Sequence, residues 1–245
     1  MTQNPETKEY MIVMQHANNG SLLSYLHQNI NKLTWRDKLI RLKDIAWYLR
    51  AVHENGLVHC DLHGGNIVLH NNTHMIKSLI CDFGLSRPVN SDSTIRGIVP
   101  FTAPEVFHTR KFTQKSDIYS FGIIMYLIAT GEPPFRNRRF DTDLIHDIMG
   151  GLRPSMPDSA PEEYKKLAEL CCDADPDKRP DAHTLWKDIT DKVYSDDNTW
   201  DTIYYNDVKP LSRLEKESKY SSTLLPTGDL PKPRNSYEMS IEFQI

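Results

Sequence analysis

Apolar residues recur at three- and four-residue spacing in both flanks of this chain, but a stretch near its middle breaks the pattern. That stretch holds three short clusters: His59-Cys60-Asp61-Leu62-His63-Gly64-Gly65-Asn66, Asp82-Phe83-Gly84 and Ala103-Pro104-Glu105. Helical patterns on both sides leave these polar clusters at loop positions. Taken singly, Asp61 or Asp82 would read as a turn carboxylate capping a backbone N–H. Three clusters in a fixed order are harder to explain as turns.

The flanks can be read element by element. Tyr10–Gln15 is short and rich in Met, Ile and Val, so it is expected to be a buried strand, broken by Asn18-Asn19-Gly20. A short helix follows from Ser21. Thr34 offers an N-cap to a long helix whose Leu39, Leu42, Ile45, Ala46, Leu49 and Val52 share one face, and Asn55-Gly56 ends it. Two short strands are expected at Asn66–Leu69 and Ser78–Cys81, with a turn at Asn71-Asn72. Thr113 opens a helix that runs through Thr130 and stops at Gly131 and Pro133-Pro134. Further helices fit Asp141–Met149, Pro161–Cys172 and Asp181–Val193. After Tyr194 the periodicity fades, so residues 1–196 are expected to form the folded domain and residues 197–245 a disordered tail.

Composition narrows the function classes. Net charge is -4, with a pI near 6.2, so the basic excess expected of nucleic-acid or membrane-surface binding is missing. The longest apolar run, Ile118–Ala129, is shorter than the ~20 residues that span a bilayer. The first ten residues carry no apolar h-region, so no signal peptide is expected. The four cysteines lack metal-ligand spacing, and Cys171 and Cys172 are adjacent. Reduced thiols and an intracellular, cytoplasmic location are the expectation.

In order and spacing the three clusters resemble the signature set of the eukaryotic protein kinases. Asp117-Ile118-Tyr119-Ser120-Phe121-Gly122 resembles the start of that family's central buried helix, and Pro176-Asp177-Lys178-Arg179-Pro180 the segment before its last helix. The resemblance covers residues from about 8 to 194, and its style is closest to the tyrosine-kinase-like group. It implies a mainly α fold: the family's helical C-terminal lobe, with short β hairpins at the cleft, preceded by a single strand of the N-terminal lobe. It also implies ATP and Mg2+ as cofactors and a protein substrate. Phosphoryl transfer needs positioning and charge neutralisation more than covalent chemistry. Asp61 fits a carboxylate that accepts the substrate's hydroxyl proton, while Asp82 and Asn66 offer hard oxygen ligands to magnesium. Gly84 would let the chain turn beside the metal.

By the same resemblance, Glu105 and Arg179 form a buried ion pair. Asp117 caps its helix and holds the loop ahead of Asp61, and His59 and Phe83 pack in the core. At the adenine end, Met14 guards the pocket, Gln15 and Ala17 face the base through their backbones, Ser21 meets the ribose and Val68 forms the floor.

Two positions depart from the family. Cys60 replaces the Arg that pairs with a phosphorylated activation loop, and a thiol cannot hold a phosphate bidentately. Ser86, Ser91, Ser93 and Thr94 are therefore not expected to act as on-switches through this position. His63 stands where many members have Lys. Near neutral pH it offers a hydrogen bond and at most part of a charge, and its alternative role is a loop residue facing solvent.

No Gly-x-Gly-x-x-Gly and no Val-Ala-x-Lys strand occur before residue 10. The expectation is a truncated kinase domain whose exposed N-terminal strand could meet a docking partner. The functional reading is a protein kinase, serine/threonine-directed rather than tyrosine-directed. Its alternative is a catalytically inactive kinase-like fragment that acts as a binding module. A small-molecule phosphotransferase shares the Asp and Asn spacing but does not account for the Ala103, Asp117 and Arg179 contexts.

Overall fold

Helix starts in this chain are set by side chains that satisfy the first backbone N–H groups. The computed structural model describes residues 2–11, 16–72, 75–89, 95–203, 222–225 and 230–235. Ser21 caps α1 (Leu22–Asn29), and its hydroxyl accepts from the Ser24 N–H. Thr34 and Asp37 form a reciprocal capping box at α2 (Trp35–Glu54). Thr113 and Ser116 do the same at α4 (Gln114–Thr130), which ends at Gly131 with φ 73°. Asp141 caps α5 (Thr142–Met149) and Asp181 caps α7 (Ala182–Val193). Pro161 precedes α6 (Glu162–Cys171). The short α3 (Pro104–Thr109) was not expected, because six residues are too few to show a helical period.

The strands are short and pair two by two. β1 (Thr2–Gln3) pairs with β2 (Tyr10–Met11), β3 (Leu57–Val58) with β6 (Arg87–Pro88), β4 (Ile67–Asn72) with β5 (Met75–Ile80), and β7 (Arg96–Gly97) with β8 (Thr223–Leu224), all antiparallel. Asn71 and Asn72 are therefore paired strand residues, facing Ile76 and Met75, and not the turn. The hairpin outlasts its apolar run because backbone pairing does not require apolar side chains at an exposed end.

The N-terminal strand also differs from expectation. Tyr10 and Met11 are exposed, at 76% and 44%, and they are paired. Asn4 explains the pairing: its side chain accepts from the Glu6 and Thr7 N–H groups and turns the chain back. The remainder of the expected strand, residues 12–15, lies outside the described residues.

α4 runs through the centre, and of its residues from Ser116 onward only Tyr126 is not buried. Its Gly122 faces α6 so closely that a Cβ would lie 2.5 Å from Cys172 Sγ, so only glycine fits. α2 packs across α7 and β5. Lys38 on α2 is fully buried. Its ammonium lies over the Trp35 ring at 4.1 Å and donates to the Ala129 carbonyl at 2.9 Å, near the end of α4. Burial pulls its pKa down to about 8.

The folded body continues past residue 196. Asn198–Asp201 forms a turn of 3-10 helix with Trp200 buried. The Thr202 carbonyl accepts from the Trp35 N–H, and Arg36 donates to the carbonyls of Ser195 and Asp197 and pairs with Asp201 at 2.7 Å. Two later stretches, 222–225 and 230–235, also lie on the body, so the described parts of the expected tail are ordered. The buried Trp200 indole and the Arg36 guanidinium at the start of α2 hold residues 195–201 in place. No described helix is long and apolar enough to cross a membrane.

Candidate functional site

The loop of residues 59–66 lies between β3 and β4, and all of it except Gly65 is buried. Asp117 on α4 holds its start. One carboxylate oxygen accepts from the His59 N–H at 2.8 Å and the other from the Cys60 N–H at 3.0 Å. His53 Nε2 meets the first of these oxygens at 2.9 Å. Asp117 does not cap its helix as expected. Thr113 takes that position, which leaves the carboxylate free to hold the loop. The grip lets Cys60 adopt φ 70°, a left-handed conformation that a side chain rarely takes without support.

His59 is fully buried. Its Nδ1 accepts from the Asp61 N–H at 3.3 Å and its Nε2 faces the Cys81 carbonyl at 3.2 Å. The ring is therefore the tautomer protonated at Nε2. Burial lowers its pKa despite nearby Asp117, which keeps it neutral and structural.

Asp61, His63 and Asn66 come together within the loop. Asn66 Nδ2 donates to the Asp61 backbone carbonyl at 2.9 Å and to its Oδ2 at 3.2 Å. His63 Nδ1 accepts from the Gly65 N–H at 3.1 Å, so the neutral ring carries its proton on Nε2. That nitrogen lies 3.6 Å from Asp61 Oδ2, an ion-pair distance but longer than a hydrogen bond. His63 thus faces the carboxylate rather than solvent. Burial alone would raise the Asp61 pKa. His63 and the Ser222 hydroxyl outweigh it, and the carboxyl stays below its ordinary range. Ser222 Oγ lies 2.6 Å from both Asp61 oxygens.

Asp82 sits at the same end of the β4–β5 hairpin as Asn66. Ile67 pairs with Ile80, and the Cys81 N–H donates to the Asn66 carbonyl at 2.9 Å. Asp82 is the left-handed residue here, with φ 60°, and Gly84 is not. Gly84 instead donates its N–H to Asp82 Oδ1, where an added Cβ would lie 3.1 Å from that oxygen. The donors suit a hard cation. Asn66 spends its amide hydrogens on Asp61, leaving its Oδ1 for a metal, and Asp82 is exposed with one oxygen engaged locally. Phe83 was expected in the core but is 48% exposed. Its ring rests on His59 at 5.1 Å, and no described element covers its other face.

Glu105 and Arg179 form a bidentate pair, with both N···O distances 2.7 Å, and Arg179 is 1% exposed. At the expected adenine end, Ser21 and Val68 are joined by a β-bridge, and Ala17 is half-buried one turn away in sequence. Met14 and Gln15 lie outside the described residues, as do Ser91, Ser93 and Thr94. The Ser86 hydroxyl donates to the His59 carbonyl at 3.2 Å.

Three participants were missed. Ser222 is one, His53 behind Asp117 is another, and the third is Arg87, whose Nε donates to Cys60 Sγ at 3.2 Å. Burial pushes the Cys60 thiol up to about 11 despite that guanidinium, so it stays protonated. Arg87 was visible as a cation three residues after Gly84, but only the β3–β6 pairing brings it to Cys60. Nothing local marks Ser222.

A family model described as protein tyrosine and serine/threonine kinase matches residues 2–189. Over 186 residues the chain is 32% identical to a putative serine/threonine-protein kinase/receptor of Acanthamoeba polyphaga mimivirus, covering 74% of this chain and 11% of that protein. Over 192 residues it is 31% identical to tyrosine-protein kinase TXK of Homo sapiens, covering 76% and 36%. Over 230 residues it is 28% identical to the RGS domain-containing serine/threonine-protein kinase A of Dictyostelium discoideum, covering 93% and 19%. The chain thus spans only a minor part of the length of each of these relatives.

Proposed function

The chain belongs to the protein tyrosine and serine/threonine kinase family, and on that premise we propose that its 59–66 loop transfers the γ-phosphoryl group of ATP to a protein hydroxyl, serine or threonine in preference to tyrosine. Residues 1–196 are assigned to the kinase domain, with the family's helical C-terminal lobe preceded by a hinge strand. The observation that carries the reading is the Asp61–Asn66 pair. One amide fixes the buried carboxylate and keeps its own oxygen for a metal.

In this reading Asp61, held ionised, accepts the proton of the attacking hydroxyl. Asn66 Oδ1 and the outer oxygen of Asp82 would hold Mg2+, which would supply charge neutralisation on the phosphates. His63 donates from Nε2 beside Asp61 and takes part of the role of a lysine. Met14, Gln15, Ala17, Ser21 and Val68 are assigned to the nucleotide's base and sugar. Asp117, His59, Phe83, Glu105 and Arg179 position the loops and touch no substrate. The serine/threonine preference is supported by two of the three relatives' printed names, against the tyrosine kinase among them, and by the serine hydroxyl that already lies within reach of Asp61.

Two measurements on the purified chain test this. Millimolar Mg-ATP should raise its thermal midpoint, because a ligand that binds only the folded state must stabilise it. Labelled phosphate should pass to serine or threonine of an added acceptor protein, and not from the Asp61→Asn variant. A chain that neither responds to nucleotide nor transfers label would end the reading. Label found chiefly on tyrosine would end the serine/threonine preference.

A further inference from the structure

The segment 222–225 lies across the mouth of the candidate site as an added strand. Thr223 and Leu224 pair antiparallel with Gly97 and Arg96, and the Leu225 N–H donates to the Ile95 carbonyl at 3.1 Å. Leu225 is 6% exposed and joins the core cluster, while Thr223 and Leu224 point outward and are exposed. An added Cβ at Gly97 would lie 2.9 Å from Thr102 Oγ1 and 3.6 Å from Leu225 Cδ1, so a larger residue there would be crowded by Thr102 and would touch Leu225. A second attachment follows nearby. His108 Nδ1 meets the Leu230 carbonyl at 3.2 Å, and the Arg234 N–H donates to the Met149 carbonyl at 2.9 Å. Asn235 receives the Ala174 N–H at 2.8 Å and donates to Asp173 at 3.0 Å. These bonds align the chain so that the residue just before the strand presents its hydroxyl to both oxygens of Asp61 at 2.6 Å.

This is how an acceptor would have to sit: backbone paired to a fixed edge, one apolar residue buried three positions on, and the hydroxyl within reach of the base. From it we infer that Ser222 is a modification site of this chain, phosphorylated in cis by its own Asp61 site, with the 222–225 strand as internal acceptor. The inference rests on the proposed kinase activity. The co-reactant is a nucleoside triphosphate. A bond forms between Ser222 Oγ and the γ-phosphorus while the bond from that phosphorus to the β,γ-bridging oxygen breaks. The nucleoside diphosphate leaves with that electron pair, and the hydroxyl proton passes to Asp61. Once Asp61 has released that proton to water, a dianionic phosphate stands against its carboxylate, and like charges at that separation repel. The strand should then leave, so the unmodified segment blocks the site until it is used once. Read outward, the same geometry favours protein acceptors with an apolar residue three positions after the serine.

The test uses the full chain. Without nucleotide, hydrogen exchange at the Leu225 amide should be slowed, and the Leu225→Asp variant should lose that protection. Fast exchange in the unaltered chain would overturn the docked strand. With Mg-ATP, mass spectrometry should find phosphate on Ser222, with a rate constant that does not change on dilution. Label at that position should be lost in Ser222→Ala and in Asp61→Asn. A rate constant that rises with protein concentration would show a second copy supplying the serine and would overturn the cis step. If an added acceptor protein is labelled while Ser222 is not, this inference falls and the kinase reading stands. If neither is labelled and nucleotide gives no stabilisation, the kinase reading falls and takes the inference with it.

Discussion

The two polar loops that meet at the candidate site are held in opposite ways. The 59–66 loop is buried except at Gly65 and tied to α4 by Asp117, to the residue after β5 by His59 and to itself by Asn66. The 82–85 loop is exposed from Asp82 to Gly84, and its own bond is Asp82 to Gly84. One side of the site is therefore preset by the helical body, while the other side is shaped mainly by its local turn. On the proposed reading, the base would be rigid and the metal ligand free to adjust to the nucleotide, as phosphoryl transfer needs.

The contrast can be broken from the rigid side first. Arg179→Ala should destabilise the chain by about 3–5 kcal/mol, because it strands the buried Glu105 carboxylate. Denaturant unfolding would read it, and a loss below about 1 kcal/mol would deny the pair its structural role. Asp117→Ala should cost about 2–4 kcal/mol by leaving the His59 and Cys60 N–H groups unpaired in the interior. It should abolish any transfer activity at temperatures where the fold persists.

Acid sharpens the same comparison. Asp61 has a folded pKa below its unfolded value, so its contribution to stability is present above about pH 4 and is lost as pH falls through the folded pKa. Asp61→Asn should flatten that part of the stability profile, and His63→Ala should raise the Asp61 pKa, as carboxyl resonances would record. An unmoved Asp61 titration in His63→Ala would detach the histidine from the carboxylate.

On the exposed side, effects on folding should be small. Asp82→Ala should change stability by no more than about 0.5 kcal/mol, as surface substitutions do. It should nonetheless erase the stabilisation by Mg-ATP. The smallest effect is chemical. Cys81 is partly exposed while Cys60, Cys171 and Cys172 are buried, so limited alkylation should mark Cys81 first. First modification at Cys60 would contradict the closed packing of its loop.

What could be read in the sequence was what is local. The Thr34 and Thr113 caps, the helices they open and the clustering of Asp61 with Asn66 all lie within a few residues of their causes. What escaped depends on distance or on neighbours. Ser222 reaches Asp61 across 161 positions, and no pattern near residue 222 announces it. The resemblance makes Asp117 a cap, but the true cap is Thr113, four residues earlier. The family resemblance places Phe83 in the core, and its exposure depends on what stands above it. The Tyr10 strand was read as buried from composition, which cannot report that its described end pairs with β1 and faces solvent.

The grip of α2 on residues 195–203 bears on where this chain can be cut. The Trp35 N–H, the Arg36 guanidinium and the pocket around Trp200 all take their partners from that stretch. Ending a recombinant piece at Tyr194, where the helical period stops, would open a groove along the first turn of the longest helix and leave its donors to water. A piece that keeps this groove closed must extend at least through Ile203, whose backbone bridges to Thr34.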